Sequence, residues 1–374
     1  MLRQGGRTLR VLLTGGGTGG HIYPALAVAE ELKRIDPGVE ILYVGTARGL
    51  EADIVPRAGL PFRVVSSAGL LGKSPLRVLT GLARAGKGFW EAMAILGEFR
   101  PQVVLGTGGY VSGPVVLAAL FRRIPSFLQE QNVFPGFTNR VLSRYVAGVF
   151  VPFAEARRHF PATARLFITG NPVRRQVLER GRGEAQRALG LSPQRKTVYI
   201  VGGSRGAKRV VQAALTILPE LARRPDVQVL FSTGAEYFPE VAEKWGEGAA
   251  PNKVICRPFF YDAENALAAA DVVVGRAGAM TIAEITARGL PAVLIPSPNV
   301  ANDHQTKNAA LLAEKGAALV LPEAELSGPR LLDALSALLD QPDRYHKMAE
   351  QSRKMGRPDA AATIARRLLE AARR

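Results

Sequence analysis

An α/β protein built from two doubly wound parallel-sheet lobes is what this sequence predicts, and three observations carry the prediction. Short β-branched runs alternate with amphipathic stretches, the alternation restarts after Gly170-Asn171-Pro172, and three glycine loops directly follow expected strands. At roughly 150 residues per domain, the 374 residues suffice for two full cores.

In the first half the runs are Val11–Leu13, Ile41–Val44, Phe62–Val65, Val103–Leu105 and Gly148–Val151. Parallel strands covered on both faces read as continuous apolar runs of this kind. Between them, residues 24–35 and 75–99 carry apolar side chains at three- and four-residue spacing and open on proline, which suits a first helical turn. Helices are therefore expected from Pro24 and Pro75. The second half repeats the rhythm with Val198–Val201, Val227–Phe231, Val254–Ile255, Val272–Val274, Ala292–Ile295 and Leu319–Leu321. The turn-rich segment after Gly170 places the boundary near residue 173, giving domains at 1–173 and 174–352. The last twenty residues, rich in Ala and Arg, read as a terminal helix over about 353–374.

Composition narrows the function classes. One cysteine, Cys256, excludes an internal disulfide framework and any Cys-rich metal site, and points to a reducing compartment. No apolar run reaches the roughly 18 residues needed to span a bilayer, and Leu9–Leu13 is too short for a secretory signal, so neither a membrane-spanning nor an exported protein is expected. The net charge of +17 favours anionic partners. Part of that excess is local, with ten basic and three acidic residues between Arg63 and Arg144.

The first strand runs into Gly15-Gly16-Gly17-Thr18-Gly19-Gly20-His21. Glycine lets main-chain N–H groups approach a phosphate, and an adjoining helix N-terminus adds partial positive charge. Gly15, Gly17 and Gly20 satisfy GxGxxG, but the second strand ends Val44-Gly45-Thr46-Ala47-Arg48, without the acidic residue that grips an adenosine ribose, which argues against NAD. Two further loops, 106–113 and 202–206, follow other strands, and neither has the GxxxxGK of a P-loop. Each alone is open to reading as a tight turn. Repeated at strand C-terminal ends, they favour anion binding, and two such lobes facing across a cleft would suit group transfer between two anionic substrates.

With those loops in hand, the chain resembles the MurG family, bacterial transferases that move N-acetylglucosamine from UDP onto an undecaprenyl-diphosphate-linked muramyl-pentapeptide. The resemblance rests on GGGTGGHIYPALAVA from Gly15, GTGGYVSGP from Gly106, EQNVFPGFTNR from Glu130, GNPVR from Gly170, GGSRGA from Gly202, RAGAMTIAEI from Arg276 and NDHQTKNA from Asn302. It implies the GT-B fold, an acceptor-binding N-terminal domain, a UDP-sugar-binding C-terminal domain and a last helix that crosses back. It also implies an inverting, metal-independent enzyme of peptidoglycan synthesis that needs no cofactor. The absence of a DxD motif or a His/Cys cluster agrees with that.

Residue roles follow the motifs. On the donor side the resemblance implies Glu284 on the ribose hydroxyls, Ala279, Met280, Thr281, Ile282 and Ala283 at the helix start that meets the diphosphate, Ser204 beside them, main-chain Phe260 on uracil and Gln305 on the sugar. Thr18, Gly19, Gly20, Asn132 and Arg174 match further donor-contacting positions. Gly17, Gly108, Gly109 and Tyr110 are expected at the acceptor. His21 is a candidate general base for the acceptor 4-hydroxyl or a holder of its diphosphate, and Glu130 is a second candidate base whose alternative is a hydrogen-bonded structural carboxylate.

Two residues depart from the family pattern: Gln129 stands where histidine is usual, and Arg205 where the third loop often has glutamine. Along 70–90, Leu76, Leu79 and Leu82 are interleaved with Arg77, Arg84 and Lys87, a pattern suited to lying on an anionic leaflet, with a buried amphipathic helix as the plain alternative. The expected setting is the cytoplasmic face of the cell membrane, with other wall-synthesis proteins as possible partners. Rival readings are a diacylglycerol-directed transferase, a UDP-GlcNAc 2-epimerase, and a nucleic-acid-binding scaffold; no recognition helix or aromatic-basic motif supports the last.

Overall fold

The computed structural model describes residues 8–67, 75–202, 207–245, 248–249 and 254–374, and the side chains of 75–80, 82, 248, 249 and 301 fall outside that description. The chain divides into two compact units, the first running up to Arg174 and taking in Pro358–Arg374, the second comprising Arg175–Arg357.

The first unit contains β1 (Arg10–Thr14), α1 (Gly19–Ile35), β2 (Glu40–Gly45), α2 (Glu51–Arg57), β3 (Phe62–Val64), α3 (Pro75–Phe99), β4 (Val103–Gly106), α4 (Ser112–Phe121), β5 (Ser126–Gln129), α5 (Phe137–Leu142), β6 (Gly148–Val151) and β7 (Leu166–Ile168). Its seven strands lie in the order β3-β2-β1-β4-β5-β6-β7, all parallel. Period-two alternation splits each central strand between two cores. Val11 and Leu13 of β1 join Val103 and Leu105 of β4 on one face. Leu12 and Val104 join the opposite core with Val115 and Val116 of α4. The strand order reverses between β1 and β4, so the loops after these two strands flank the topological switch point, where open α/β sheets bind ligands.

The second unit holds α6 (Arg175–Glu179), α7 (Arg182–Leu189), β8 (Lys196–Val201), α8 (Lys208–Arg223), β9 (Val227–Ser232), α9 (Phe238–Trp245), β10 (Gly248–Ala249), β11 (Val254–Arg257), α10 (Ala263–Ala269), β12 (Val272–Gly275), α11 (Ala279–Arg288), β13 (Ala292–Leu294), α12 (His304–Glu314), β14 (Leu319–Val320), α13 (Gly328–Leu339) and α14 (Pro342–Met355). Its sheet runs β10-β11-β9-β8-β12-β13-β14, parallel except for the β10–β11 pair, and reverses between β8 and β12. Cys256 of β11 lies in this core at 1% exposure, and burial pushes its thiol up to about 12, as befits an inert packing residue.

The last helix, α15 (Ala360–Ala372), belongs to the first unit, where Ile364, Ala365, Leu368 and Leu369 share a core with Val28 and Leu32 of α1. Burying each leucine is worth about 1.5–3 kcal/mol before entropy is counted, enough to fix the helix there. The segment 353–357 stays with the second unit, so the crossing falls at Pro358.

Two sequence expectations need correction. Helix α1 starts at Gly19, five residues before Pro24, because extended Thr18 (φ −145°) ends the loop and the chain turns helical at once. Pro24 therefore sits inside the helix, and His21 lies in the first turn. Strands β5 and β7 went unforeseen, since each is only three or four residues long and β5 begins and ends on polar residues.

Candidate functional site

In the first unit the site is assembled from the segments after β1, β4 and β5. Ser112 ties the first two together, its single hydroxyl hydrogen within reach of both Gly108 O (2.7 Å) and Thr14 O (3.1 Å) while its oxygen accepts from Gly108 N–H (3.1 Å). Gly16 N–H donates to Gly108 O at 3.3 Å. Gly108 has φ +103°, and a Cβ there would meet His21 Nδ1 at 2.7 Å, so only glycine lets the second loop pass the histidine ring.

His21 is half-buried, with Nδ1 3.1 Å from Thr107 O and 3.1 Å from Gln131 Oε1. Gln131 is oriented by its own amide nitrogen, which donates to Thr107 O at 2.6 Å and to Gln129 Oε1. Gln129 in turn donates to Asn171 Oδ1 (2.9 Å), and Asn171 donates back to Gln131 O (2.9 Å). Two acceptors on Nδ1 require that nitrogen to carry the hydrogen, which leaves the neutral ring's lone pair on Nε2. Gln129 thus serves as a relay that holds Gln131, accepting at Oε1 while donating from Nε2.

Glu130 is 2% exposed and fully engaged. Oε1 accepts from Asn132 N–H (3.0 Å) and Asn132 Nδ2 (3.2 Å), and Oε2 from Gly136 N–H (3.0 Å) and Asn139 Nδ2 (2.8 Å). Four donors around one carboxyl describe a structural clasp for the 131–139 loop, and this geometry weighs against its use as a base. Gly17 also differs from expectation, because its N–H is taken by Glu51 Oε2 at 3.0 Å. The first-turn N–H groups of α1, at Gly19 and Gly20, have no intrahelical acceptor, and no acidic residue lies in that turn. Exposed Thr18 stands just before them, and half-buried Gly109 lies in the second loop. Tyr110 (37% exposed) lies beside Gly17, and the Arg174 guanidinium stands 5.4 Å over the Tyr23 ring.

In the second unit, the segment after β12 leads into the start of α11. Ser204 and Arg205 lie outside the described residues. Gly278 is extended (φ −67°, ψ 141°) and hands over to Ala279, Met280 and Thr281, all half-buried, with no acidic residue in the first turn. Ala283 and Glu284 are half-buried one turn on, whereas the Ile282 side chain is 2% exposed and faces the core. Tyr199 of β8 is buried, and its hydroxyl is held protonated first by burial and then by the charges of Glu284 and Asp262, which puts the Glu284 carboxylate at this end of the sheet. Phe260 is 6% exposed, edge-on to Tyr199 at 5.6 Å under the Arg257 guanidinium, so its ring is core and only its main chain is available. Phe259 packs beside exposed Tyr261. Before α12, Asn302 and Asp303 adopt left-handed backbone (φ 55° and 50°), a conformation costing about 1 kcal/mol or more per residue that clusters at ligand clamps. The turn delivers Gln305, whose Oε1 accepts from Ser297 N–H at 2.8 Å.

Residues 11–151 match the glycosyltransferase family 28 N-terminal domain and 197–364 its C-terminal domain. The UDP-N-acetylglucosamine–N-acetylmuramyl-(pentapeptide) pyrophosphoryl-undecaprenol N-acetylglucosamine transferase of Desulforudis audaxviator is 45% identical over 361 residues, 95% of this chain and 96% of that protein. This chain belongs to the MurG family. A crystal structure of Acinetobacter baumannii MurG superposes with TM-score 0.75 and 28% identity, covering 97% of this chain and 99% of that one, so the GT-B fold is shared. A UDP-GlcNAc 2-epimerase from Neisseria meningitidis shares the fold alone, at TM-score 0.69 and 16% identity over 97% and 100% of the two chains.

For this MurG-family member, reading the sequence missed three supports of the site: Glu51, Gln131 and Asn139. Glu51 left no local signal, because its contacts to Gly17 and Thr46 need β2 and α2 folded beside the first loop. In the expected membrane segment, the side chains of Leu76, Arg77, Leu79 and Leu82 lie outside the description; Arg84 and Lys87 are exposed, and Lys87 is 3.7 Å from Glu91. Trp90 (69% exposed) and, on α4, Phe121 (74%) flank Phe89 at ring distances of 5.4 and 6.1 Å. The α4 part of this apolar surface was not anticipated from the sequence. Among the described residues no helix is long and apolar enough to cross a membrane.

Proposed function

We propose that this chain is an inverting transferase that carries N-acetylglucosamine from UDP-GlcNAc to the 4-hydroxyl of a muramyl-pentapeptide on undecaprenyl diphosphate, with the donor on the second unit and the acceptor on the first. The single observation that carries this reading is 45% identity across 95% of the chain to a transferase named for that reaction. The mechanism proposed with it is supported by the geometry around His21 and α11. His21, with its hydrogen on Nδ1, takes the hydroxyl proton at Nε2 as O4 bonds to the anomeric carbon. The bond from that carbon to the β-phosphate oxygen breaks in the same displacement, and UDP leaves with the electron pair. The N–H groups at the start of α11 receive the developing phosphate charge, as preorganised dipoles that need no reorientation during the step. Glu284 accepts from the ribose hydroxyls, main-chain Phe260 pairs with uracil, and Gln305 meets the sugar; Ser204 is assigned to the diphosphate on sequence grounds alone. Thr18, Gly19, Gly20, Asn132 and Arg174 are assigned to the donor from the first unit, and Gly108, Gly109 and Tyr110 to the acceptor.

The acceptor's polyprenyl tail gives reason for peripheral contact with an anionic leaflet, and exposed Trp90 and Phe121 near exposed Arg84 and Lys87 support placing that contact on α3 and α4.

Labelled UDP-GlcNAc incubated with the lipid-linked muramyl-pentapeptide tests the reading. A lipid-linked disaccharide is expected; donor turnover without acceptor would instead indicate the epimerase chemistry of the fold's other users, and product only with diacylglycerol would move the activity to another lipid. In parallel, Glu284→Ala is expected to weaken UDP binding roughly 10- to 100-fold in calorimetry, the loss of hydrogen bonds to a charged acceptor. Unchanged affinity would remove Glu284 from the site.

A further inference from the structure

The first glycine loop already encloses an anionic group of the chain's own. Glu51, the first residue of α2, is fully buried. Its Oε1 accepts from Thr46 N–H (3.1 Å) and the Thr46 hydroxyl (2.6 Å), and its Oε2 from Gly17 N–H (3.0 Å). A Cβ at Gly16 or Gly49 would overlap the carboxyl group, so both glycines make room for it. Beneath the loop, the Tyr43 hydroxyl donates to Gly15 O at 2.9 Å, kept protonated by burial and by the Glu51 charge. Each of these three contacts comes from a donor, so the carboxyl serves them as an acceptor.

In a dinucleotide-binding fold a glycine loop of this kind turns its amides toward a phosphate. Here a side chain from α2 has taken the Gly17 amide. The consequence reaches the histidine: Gly16 N–H holds Gly108 O, Gly108 passes the His21 ring where no Cβ would fit, and Thr107 O receives Nδ1.

We propose that Glu51 is a positioning residue whose carboxylate occupies the place of a nested phosphate, locking the first glycine loop and, through Gly16 and Gly108, setting where His21 stands. At the first glycine loop, any substrate phosphate is thereby left to the amides that open α1, at Gly19 and Gly20. This rests on the transferase reading and deepens it.

Glu51→Gln keeps the size but turns one acceptor into a donor that must face either Gly17 N–H or the Thr46 donors. Its turnover is expected to fall about 10- to 100-fold, the scale of a 1 Å misplacement of reacting groups, with KM for UDP-GlcNAc within about twofold of wild type. Glu51→Ala should lose as much and recover in part with saturating formate, while Glu51→Gln should not respond, because its amide fills the space. Wild-type turnover in Glu51→Gln, or no formate effect on folded Glu51→Ala, overturns the proposal. An activity-independent measurement uses the unmodified chain: on titration with inorganic pyrophosphate, the amide resonances of Gly19 and Gly20 should shift and that of Gly17 should not. A Gly17 shift of equal size, or silence at all three, overturns it even if both variants misfold. Failure of the wild type to form disaccharide would sink the transferase reading while leaving the amide result to stand or fall by itself.

Discussion

Replacing His21 with asparagine will lower turnover by about 10²- to 10⁴-fold while leaving the affinity for UDP unchanged, the range expected when a general base is lost from an otherwise intact site. Asparagine is the discriminating choice, because its amide nitrogen can reproduce the Nδ1 donation to Thr107 O while removing the basic Nε2. The wild-type profile should fall on the acid side, where a protonated ring has no lone pair to accept the hydroxyl proton. That limb should be missing from His21→Asn. If His21 only held the acceptor diphosphate, the same variant would raise the acceptor KM and keep the acid limb, so the two roles left open by the sequence separate in a single experiment.

Glu130→Gln will show the reverse pattern, a large loss of stability with a normal pH profile. Both carboxyl oxygens face two donors each, so the new amide must turn its own N–H groups against either Asn132 or the Gly136 and Asn139 pair. Orphaned buried donors cost about 1–3 kcal/mol each where no water reaches them, and a total of about 3 kcal/mol corresponds to a fall in Tm of roughly 6–12 °C for a unit of this size. Thermal unfolding followed by circular dichroism measures it directly. A variant of unchanged Tm that has lost turnover by orders of magnitude would return Glu130 to the role of base.

The contrast between these two residues shows where sequence reasoning stops. The strand C-terminal ends were legible, because fully buried parallel strands must be continuous apolar runs and the loops after them must be glycine-rich to turn. Val11–Leu13 before Gly15 and Val103–Leu105 before Gly106 therefore marked two strand ends suited to binding anions, while the reversal of strand order between them is visible only in the folded sheet. Strand β5 was not legible: Ser126 and Gln129 break the apolar signature, and its partners on either side are distant in sequence. Position His21 was found by motif, but its tautomer rests on Thr107 O and Gln131, whose orientation depends on Gln129 and Asn171, a chain of contacts running from residue 21 to residue 171 that no local pattern encodes. Proline misled at α1 for a related reason. It marks a first helical turn on average, yet Thr18 ended the loop earlier and Pro24 was accommodated within the helix. The proposed membrane face was legible only as charge and periodicity; Phe121 joins its aromatic surface through the packing of α4 beside α3.

The central claim is that one direct displacement joins donor sugar to acceptor, with protein dipoles and a histidine rather than a metal meeting the charges. The anomeric configuration of the disaccharide-lipid formed in excess EDTA, read by proton NMR, tests it most directly. The expected result is a β-linked product formed at an undiminished rate from the α-linked donor. An α-linked product, a reaction abolished by EDTA and restored by added magnesium, or UDP-N-acetylmannosamine in place of any disaccharide would contradict it.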